Sequence, residues 1–267
     1  MKLAYFPGCK ISFYLKAYGD SFESVMKHLG IDLVRLEFNC CGYPARGEHF
    51  EISVFSAIKN LAVAHKNKLD IITPCKCCFG QFKHAVFWYY KHKNLKTKID
   101  DLLDQENLSW DGSTQIHHLL SFLYHEIGLD TLEKRSVKKF SGKKIAVQYG
   151  CHALRPFSVT RFDHPYAPTI FEDLVRVTGM VPVEWPKSTE CCGNPILEGH
   201  KALSLTILEN KFKSASLAGA EYICTACTHC QMQYEMTDYE SDIDTHGVKP
   251  VLFTRILDAA FGGKTVF

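Results

Sequence analysis

The cysteines of this 267-residue chain form a pattern that occurs twice, in the same order. Each copy consists of a single cysteine, an adjacent cysteine pair and a C-x-x-C element. The intervening lengths are 30 and 33 residues in the first copy and 39 and 34 in the second. The first set is Cys9, Cys40, Cys41, Cys75 and Cys78, and the second set is Cys151, Cys191, Cys192, Cys227 and Cys230. A duplicated arrangement of five thiols predicts two copies of one metal site.

The residues beside the cysteines repeat as well. Each adjacent pair is followed by a glycine, one further residue and a proline, and these prolines are Pro44 and Pro195. The segments 73–82 and 225–234, which contain the two C-x-x-C elements, also align with each other. The repeat therefore extends beyond the thiols, and it predicts two halves with the same local structure.

Composition restricts the class of protein. Hydrophobic residues make up 46% of the chain and charged residues 22%, and the net charge is +2, so bulk electrostatics indicate no nucleic-acid partner. No apolar stretch reaches the roughly 18 residues that a transmembrane helix needs. The N-terminus has too short an apolar stretch for a secretory signal, which leads us to expect a cytoplasmic protein. Twelve cysteines in such a protein favour thiolate metal sites over a disulfide framework.

Strand and helix patterns alternate along both halves, which predicts an α/β fold with a small parallel sheet in each half. Every cysteine element is expected in a loop after the C-terminal end of a strand, where parallel sheets place their ligands. The C-x-x-C elements are expected to begin helices, whose N-terminal amides favour thiolate charge. We predict a first half over 1–94, a connecting helical segment over 95–143 and a second half over 144–267. Predicted strands are Leu3–Phe6, Ile31–Leu36, Leu69–Thr73, Lys144–Tyr149, Val181–Trp185 and Tyr222–Cys224, and predicted helices are Phe13–Leu29, Ile52–His65, Phe79–Tyr90, Thr169–Thr178 and Ala202–Ala218.

The number of thiols indicates the kind of metal site. Structural zinc takes four ligands, usually from two closely spaced knuckles, whereas each half offers five cysteines at long range. Five thiolates also exceed the four of an ordinary iron–sulfur cubane, and the spacing differs from the short run of bacterial ferredoxins. The chemistry of the residues favours multi-iron sulfide clusters with unusual ligation and leads no further.

The pattern as a whole resembles the CCG-domain family, and within it the B-type subunit of heterodisulfide reductases. The resemblance covers nearly the whole chain and rests on Phe6-Pro7-Gly8-Cys9, on Tyr149-Gly150-Cys151-His152 followed by Arg155-Pro156, and on both Cys-Cys-Gly elements. It implies that each half holds one noncubane [4Fe-4S] cluster, the first bound by the first set and the second by the second set. It also implies that the cysteine loops at Cys9, Cys41, Cys151 and Cys192 carry the catalytic clusters, with Arg155 as a candidate for binding substrate.

The resemblance implies an oxidoreductase of the cytoplasm that reduces a disulfide, such as the coenzyme M–coenzyme B heterodisulfide, to two thiols. The implied partners are a protein with cubane [4Fe-4S] clusters, like the C-type subunit of these enzymes, and a flavoprotein like their A-type subunit. The alternative is an electron-relay protein without a disulfide substrate, as in sulfur-oxidising, benzoyl-coenzyme A-reducing or quinone-linked complexes. Two complete sets of thiols favour the enzyme, because a relay has no need of a facing pair.

Several further residues remain open. Cys77 and Cys224 lie outside the pattern and are expected as small buried residues, although Cys224 forms a competing C-x-x-C with Cys227. His152 and His229 are expected to orient sulfur or handle protons beside the clusters. His117 and His118 are expected on solvated or packed helix faces. Candidate cations for an anionic substrate are Lys10, Arg46, Lys76, Arg155 and Lys187.

Overall fold

The computed structural model describes residues 1–235 and 243–265. Two four-stranded parallel sheets form its framework, with strand orders β2-β1-β3-β4 and β6-β5-β7-β8. The strands are β1 Lys2–Tyr5, β2 Asp32–Val34, β3 Ile71–Thr73, β4 Ile116–His118, β5 Lys144–Gln148, β6 Val181–Pro182, β7 Tyr222–Thr225 and β8 Lys249–Leu252. The order of strands is the same in both halves, which confirms the prediction of two pseudo-symmetric α/β halves.

Helices connect and cover the strands of both sheets. They are α1 Gly8–Phe13, α2 Lys16–His28, α3 Phe50–Lys66, α4 Lys76–Lys91, α5 Lys93–Gln105, α6 Leu119–Phe122, α7 Leu129–Arg135, α8 Phe157–Thr160, α9 Ile170–Arg176, α10 Lys201–Leu217, α11 Thr228–Glu235 and α12 Phe253–Ala260. Short 3₁₀ turns, Tyr43–Ala45 and Asn194–Ile196, follow the two cysteine pairs, and Leu123–Ile127 is a π-helical turn after α6. Helices α3 and α10 each have 17 residues and follow equivalent turns, so they are counterparts.

Several elements differ from the sequence prediction. The helix predicted over Phe13–Leu29 corresponds to α2, which begins at Lys16, and the short helix α1 before it was not predicted. Helix α4 begins three residues earlier than predicted, directly after Cys75. The outer strands β4 and β8 were not predicted, because each is only three or four residues long and lacks an alternating pattern.

The segment 95–143 is more than a helical connection. It contains α5, α6 and α7, but it also supplies β4, which pairs with β3 in the register Ile71↔Ile116 and Thr73↔His118. The three-part division at 94 and 143 stays a prediction.

The two halves pack directly on each other. Helix α2 of the first half contacts α12 of the second, and α4 contacts α8. Ser21 and Thr254 share a hydrogen bond of 2.7 Å across the α2–α12 contact. Gly80 of α4 lies so close to the second half that a Cβ there would be 2.5 Å from the carbonyl oxygen of His152. This close packing brings the strand ends of both sheets, and with them the cysteine loops, to the junction between the halves.

Candidate metal centres

Each cysteine element follows the C-terminal end of a strand, either in the loop after it or at the start of the next helix. Cys9 is in the first turn of α1, after β1, and Cys75 is the residue before α4, after β3. Cys151 follows β5, and Cys227 immediately precedes α11. All twelve cysteines are free thiols. The predicted placement of the cysteine elements at strand ends agrees with this geometry.

Four thiols of the first set are in contact with one another, and the fifth, Cys9, lines a cavity together with Cys40. Cys41 lies within hydrogen-bonding range of Cys40 and Cys78, and Cys75 is within range of Cys78. A cavity of about 200 Å³, lined by residues including Cys9, Cys40 and Phe38, lies beside them.

A glycine makes this arrangement possible. Gly8 has a φ of +68°, and a Cβ at this position would lie 2.9 Å from Cys78 Sγ. A side chain would therefore be strained by the backbone and would displace a thiol.

The thiols of the second set form an equivalent chain of contacts. Cys191 lies between Cys151 and Cys192, Cys192 also contacts Cys230, and Cys230 contacts Cys227. The backbone N–H of Gly193 donates a hydrogen bond of 3.4 Å to Cys191 Sγ. A small cavity of about 20 Å³ lies among these thiols.

Neighbouring thiols share protons unequally within both sets. Hydrogen bonds from Cys40 and Cys78 lower the pKa of Cys41, and bonds from Cys151 and Cys192 lower the pKa of Cys191 to about 2. The pKa of a donating thiol is raised instead. The hydrogen bond with Cys191, for example, raises the pKa of Cys192 to about 12. Each set therefore already favours thiolate at part of its members, and thiolate is the form that binds metal.

The two sets meet at the C-x-x-C elements. Cys77 Sγ lies 3.8 Å from Cys227 Sγ and 3.7 Å from Nδ1 of His152, so this cysteine of the first half faces the second set. The Thr228 hydroxyl lies 3.0 Å from Cys75 Sγ in the opposite direction. Cys77 is 5% exposed and Cys224 is fully buried. The expectation that both are small buried residues agrees with these positions, and their part in ligation stays open.

Aromatic and histidine rings cover the junction between the sets. The ring of Tyr43, which follows Cys41-Gly42, packs edge-on against His152 at 4.8 Å and against His229 at 5.5 Å. His152 Nδ1 also lies 3.5 Å from Cys151 Sγ. Burial lowers the pKa of His152 to about 4, so this ring is neutral at pH 7. His152 and His229 therefore lie beside the thiols, at the positions that the sequence predicted.

His118 has a role that the sequence did not predict. It ends strand β4 and is fully buried, rather than lying on a helix face. Its Nδ1 accepts a hydrogen bond from the N–H of Leu120, so the proton is on Nε2, which lies 3.3 Å from the Pro74 carbonyl and 3.2 Å from the Ala226 carbonyl. These carbonyls immediately precede Cys75 and Cys227, so one imidazole joins both C-x-x-C loops. A double histidine after an apolar residue is too common a signal for the sequence to reveal this link.

Two buried lysines lie against the second set. Lys76 donates a hydrogen bond of 2.8 Å to the Gln148 carbonyl, and Lys211 donates one of 3.0 Å to the Gln148 side-chain oxygen. Burial lowers the pKa of Lys211 to about 8 and also lowers that of Lys76. Lys76 was among the candidate cations, whereas Lys211 was not, because it is distant in sequence from every cysteine loop.

The remaining candidate cations are engaged at the surface. Arg155 is exposed and donates to the Thr189 carbonyl, and it is not among the residues lining the cavity of the second set. Lys187 pairs with Glu190 at 3.0 Å. Lys10 and Arg46 lie over the rings of Tyr14 and Tyr43, at 5.3 and 4.8 Å from the ring centroids.

The donor set fits a cluster better than a single metal ion. Within residues 1–235 and 243–265, no group of three or more His, Cys, Asp or Glu side chains is positioned to hold a metal ion. The thiols form extended chains instead, and both lysines next to the second set make hydrogen bonds only to neutral oxygens. Buried ammonium groups are costly without nearby negative charge, and thiolate-bound iron–sulfide clusters supply such charge.

Sequence comparison identifies the repeat. The profile of the cysteine-rich domain called CCG matches residues 3–83 and 145–235, which together exceed half of the chain. The chain belongs to the CCG cysteine-rich domain family. The two matches begin at β1 and β5 and include all ten cysteines of the two sets.

Relatives of this CCG protein include two components of redox enzymes. It is 28% identical over 239 residues to the B-type subunit of the ferredoxin/F420H2-dependent CoB–CoM heterodisulfide reductase of Methanosarcina acetivorans, covering 88% of this chain and 79% of the relative. It is 29% identical over 243 residues to the 8-methylmenaquinol:fumarate reductase membrane anchor subunit of Wolinella succinogenes, covering 90% and 84%. These likenesses support a redox protein of the iron–sulfur class as the coarse description of the chain.

A solved structure supports the fold. A hypothetical protein from Helicobacter pylori superposes with a TM-score of 0.75 at 14% identity over 98% of this chain. The chain spans about half the length of that protein, 49%. No helix in the described part of the chain combines the length and the apolar character needed to cross a bilayer.

Proposed function

We propose that this CCG protein is the iron–sulfur subunit of a heterodisulfide reductase-like complex and that it reduces a disulfide to two thiols. The observation that carries the proposal is the contact between the two sets of five thiols, in which Cys75 of the first set lies within hydrogen-bonding range of Cys227 of the second. A disulfide needs two electrons, and two one-electron centres side by side can deliver one to each sulfur. The likeness to a component of a heterodisulfide reductase supports the same function.

In this proposal each half holds one noncubane [4Fe-4S] cluster. The ligands would be the first set in the first half and the second set in the second half. When bound, such clusters would supply one electron each and an iron to which sulfur can bind. Both sets are largely buried at strand ends, where burial and backbone N–H groups are known to tune cluster potentials.

The chain's own residues would support the reaction around the clusters. Reduction of a disulfide to two thiols also consumes two protons, and His152 and His229, which line the cavity among the thiols, are groups that can carry a proton there. The ring of Tyr43 packs against both histidines. Arg155 remains our candidate for an anionic substrate group, although reaching one would require it to leave the Thr189 carbonyl.

One observation favours the relay alternative. The cavity beside the second set has about 20 Å³, which is room for about one water molecule. A disulfide substrate would therefore require Tyr43 or the cysteine loops to move. The likeness to a component of a fumarate reductase is also consistent with a protein that passes electrons to another catalytic protein.

The proposed function requires partner proteins that deliver electrons, and we place it in the cytoplasm. We propose a cytoplasmic complex in which a protein with cubane clusters, like the C-type subunit of heterodisulfide reductases, delivers the electrons. These electrons would come from a flavoprotein like the A-type subunit of the same enzymes. The natural substrate would be a small-molecule disulfide, of which the coenzyme M–coenzyme B heterodisulfide is one example.

Soaking anaerobic crystals of the protein with a disulfide tests the proposal. Enzyme function predicts electron density for two adjacent sulfur atoms between the two sets, each facing one cluster. The matched control is a thioether of the same length, which lacks the S–S bond and should not bind through sulfur in this way. A gap that stays closed by Tyr43 and its neighbours in the disulfide soak would contradict the enzyme and leave the relay.

A further inference from the structure

Buried positive charge is distributed unequally between the two sets of thiols. In the described part of the chain, Lys76 and Lys211 are the only lysine or arginine side chains classed as buried, with exposed fractions of 2% and 0%. Lys76 lines the small cavity among the thiols of the second set, and Lys211 binds Gln148, which donates to the Glu190 carbonyl beside Cys191. Lys211 interacts electrostatically with Cys230, Cys192, Glu190 and Cys191, and Lys76 with Cys230, Cys227, Cys224 and Glu172. Both ammonium groups therefore face the second set.

Lys76 reaches this position by crossing from one half to the other. It belongs to the first C-x-x-C element, yet its Nζ binds the Gln148 carbonyl at the end of β5 and lies over the rings of Tyr149 and Phe171, at 5.5 and 4.7 Å from their centroids. Lys211 of α10 reaches the same glutamine and also donates a hydrogen bond of 2.8 Å to the Lys187 carbonyl. Gln148 in turn donates one of 2.7 Å to the Glu190 carbonyl, beside Cys191.

Neither lysine forms an ion pair or a hydrogen bond with a carboxylate, although Glu172 interacts electrostatically with Lys76 and Glu190 with Lys211. Their hydrogen-bond acceptors are two backbone carbonyls and one amide oxygen. Among residues 1–235 and 243–265, the ion pairs include neither of them. Positive charge is therefore left to act on whatever the second set holds.

The counterparts of the two lysines in the repeat carry no charge. Asn60 is the eleventh residue of α3, as Lys211 is of α10, and it donates to the Cys40 carbonyl. Thr228 occupies in the second C-x-x-C the place that Lys76 has in the first, and it places a neutral hydroxyl against Cys75. Phe6, two residues before Gly8, stands where Gln148 stands before Gly150. Both lysines thus have an uncharged counterpart, and the glutamine that binds them has an apolar one.

We propose that Lys76 and Lys211, held by Gln148, set the reduction potential of the second site above that of the first, so that an electron entering the pair comes to rest in the second half. This inference rests on the proposed function, because it requires a cluster in each half. Reduction adds one negative charge to a cluster, and nearby buried cations stabilise the reduced form more than the oxidised form. The two lysines act through the clusters and are positioning residues, not catalytic ones.

The order of electron transfer follows from this difference. A one-electron donor would reduce the second site first, and a second electron would then reduce the first site. The first site would therefore hold the stronger reductant of the two. No disulfide is needed for this property, so the inference can be tested in either the enzyme or the relay.

A redox titration with dithionite, followed by electron paramagnetic resonance, tests the inference in the purified, iron-loaded protein. We expect two one-electron couples of different potential. Lys211→Met removes the charge while keeping the apolar length of the side chain, and it should lower only the higher couple. We expect at least about a tenfold change in its reduction equilibrium, which is 59 mV for a one-electron couple. The matched control is Lys213→Met, an exposed lysine of the same helix, which should move neither couple.

A second variant shows whether a shift in potential could come from misfolding of the first. Lys76→Met should lower the same higher couple, and iron content is measured for every variant. The inference is overturned if both couples coincide in the wild type, if either variant with full iron leaves the higher couple unmoved, or if the lower couple moves instead. It is also overturned if both variants lose one cluster, since the lysines would then be needed for assembly. A wild-type protein without iron would instead contradict the proposed function.

Discussion

At each C-x-x-C element, the residue after the first cysteine reaches into the opposite half. Lys76 binds Gln148 of the second half, and Thr228 contacts Cys75 of the first. Cys77, the next residue, contacts Cys227 of the second set as well as Cys75 of its own half. The residues between the two cysteines of each element therefore make contacts across the junction. The two cysteines of each element belong to a single set.

The two adjacent cysteines Cys77 and Cys78 should differ when they are replaced. Cys78→Ala should lower the iron content to roughly half, because Cys78 contacts Cys41 and Cys75 within the first set. Cys77→Ala is the matched control and should keep the full iron content. Iron and sulfide analysis of anaerobically purified variants measures both. Equal loss of iron in the two variants would mean that Cys77 is also a ligand.

The sequence revealed the cysteine positions but not all of their neighbours. The ten thiols could be recognised because they repeat with similar spacing and similar flanks. Lys211 and His118 could not be recognised, because each contacts residues that are tens of positions away in the sequence, and a local sequence pattern does not reveal such contacts. His118, for example, reaches the Ala226 carbonyl 108 positions away.

At the scale of elements, the repeated strand–loop–helix units position the thiols. The sequence predicted the inner strands well, because β1, β3, β5 and β7 are mostly buried and nearly continuous in apolar residues. It missed β4, whose three residues include two histidines. The omission matters, because β4 carries His118 to the ends of β3 and β7.

Acid should destabilise the protein through His118. Burial lowers its folded-state pKa to about 3, against about 6.5 in an unfolded chain, so the unfolded state binds a proton that the folded state refuses. Stability is therefore lost as the pH falls below 6.5, by roughly 2 kcal/mol between pH 7 and pH 5 for this group alone.

The His118→Gln variant checks this effect, since glutamine retains an N–H donor and does not titrate. Thermal unfolding followed by circular dichroism should show a smaller decrease from pH 7 to pH 5 in the variant than in the wild type. Between pH 8 and pH 7 the unfolding temperatures of the two proteins should change by nearly the same amount, because the histidine is mostly neutral in both the folded and the unfolded state. Parallel curves over the acid range as well would contradict the assignment of His118 as a neutral link.

At the scale of the whole molecule, the two halves pack together so that their cysteine loops are in contact. The repeat in the sequence predicted two similar halves, but it contained no information on how they face each other. That arrangement depends on contacts between distant elements, such as α2 with α12 and α4 with α8. Side-chain shape at these contacts decides the geometry, and a repeat does not encode it.

Gly80 provides a test of the packing between the halves. A methyl group there would meet the backbone of His152 at 2.5 Å, so Gly80→Ala should destabilise the protein by about 1–3 kcal/mol. Gly47→Ala is the matched control, since a Cβ at Gly47 has no neighbour within 4 Å. Comparison of the two unfolding midpoints measures the difference. Equal midpoints would contradict the close approach of α4 to the second half.

Anomalous scattering at the iron absorption edge, from crystals grown without oxygen, tests the central claim most directly. We expect two separate groups of iron, roughly eight atoms in all, one group within the first set of cysteines and one within the second. Data collected at the zinc edge from the same crystals should show no peak at either set. A single group of iron, or zinc in place of iron at both sets, would contradict the claim that each half holds an iron–sulfur cluster.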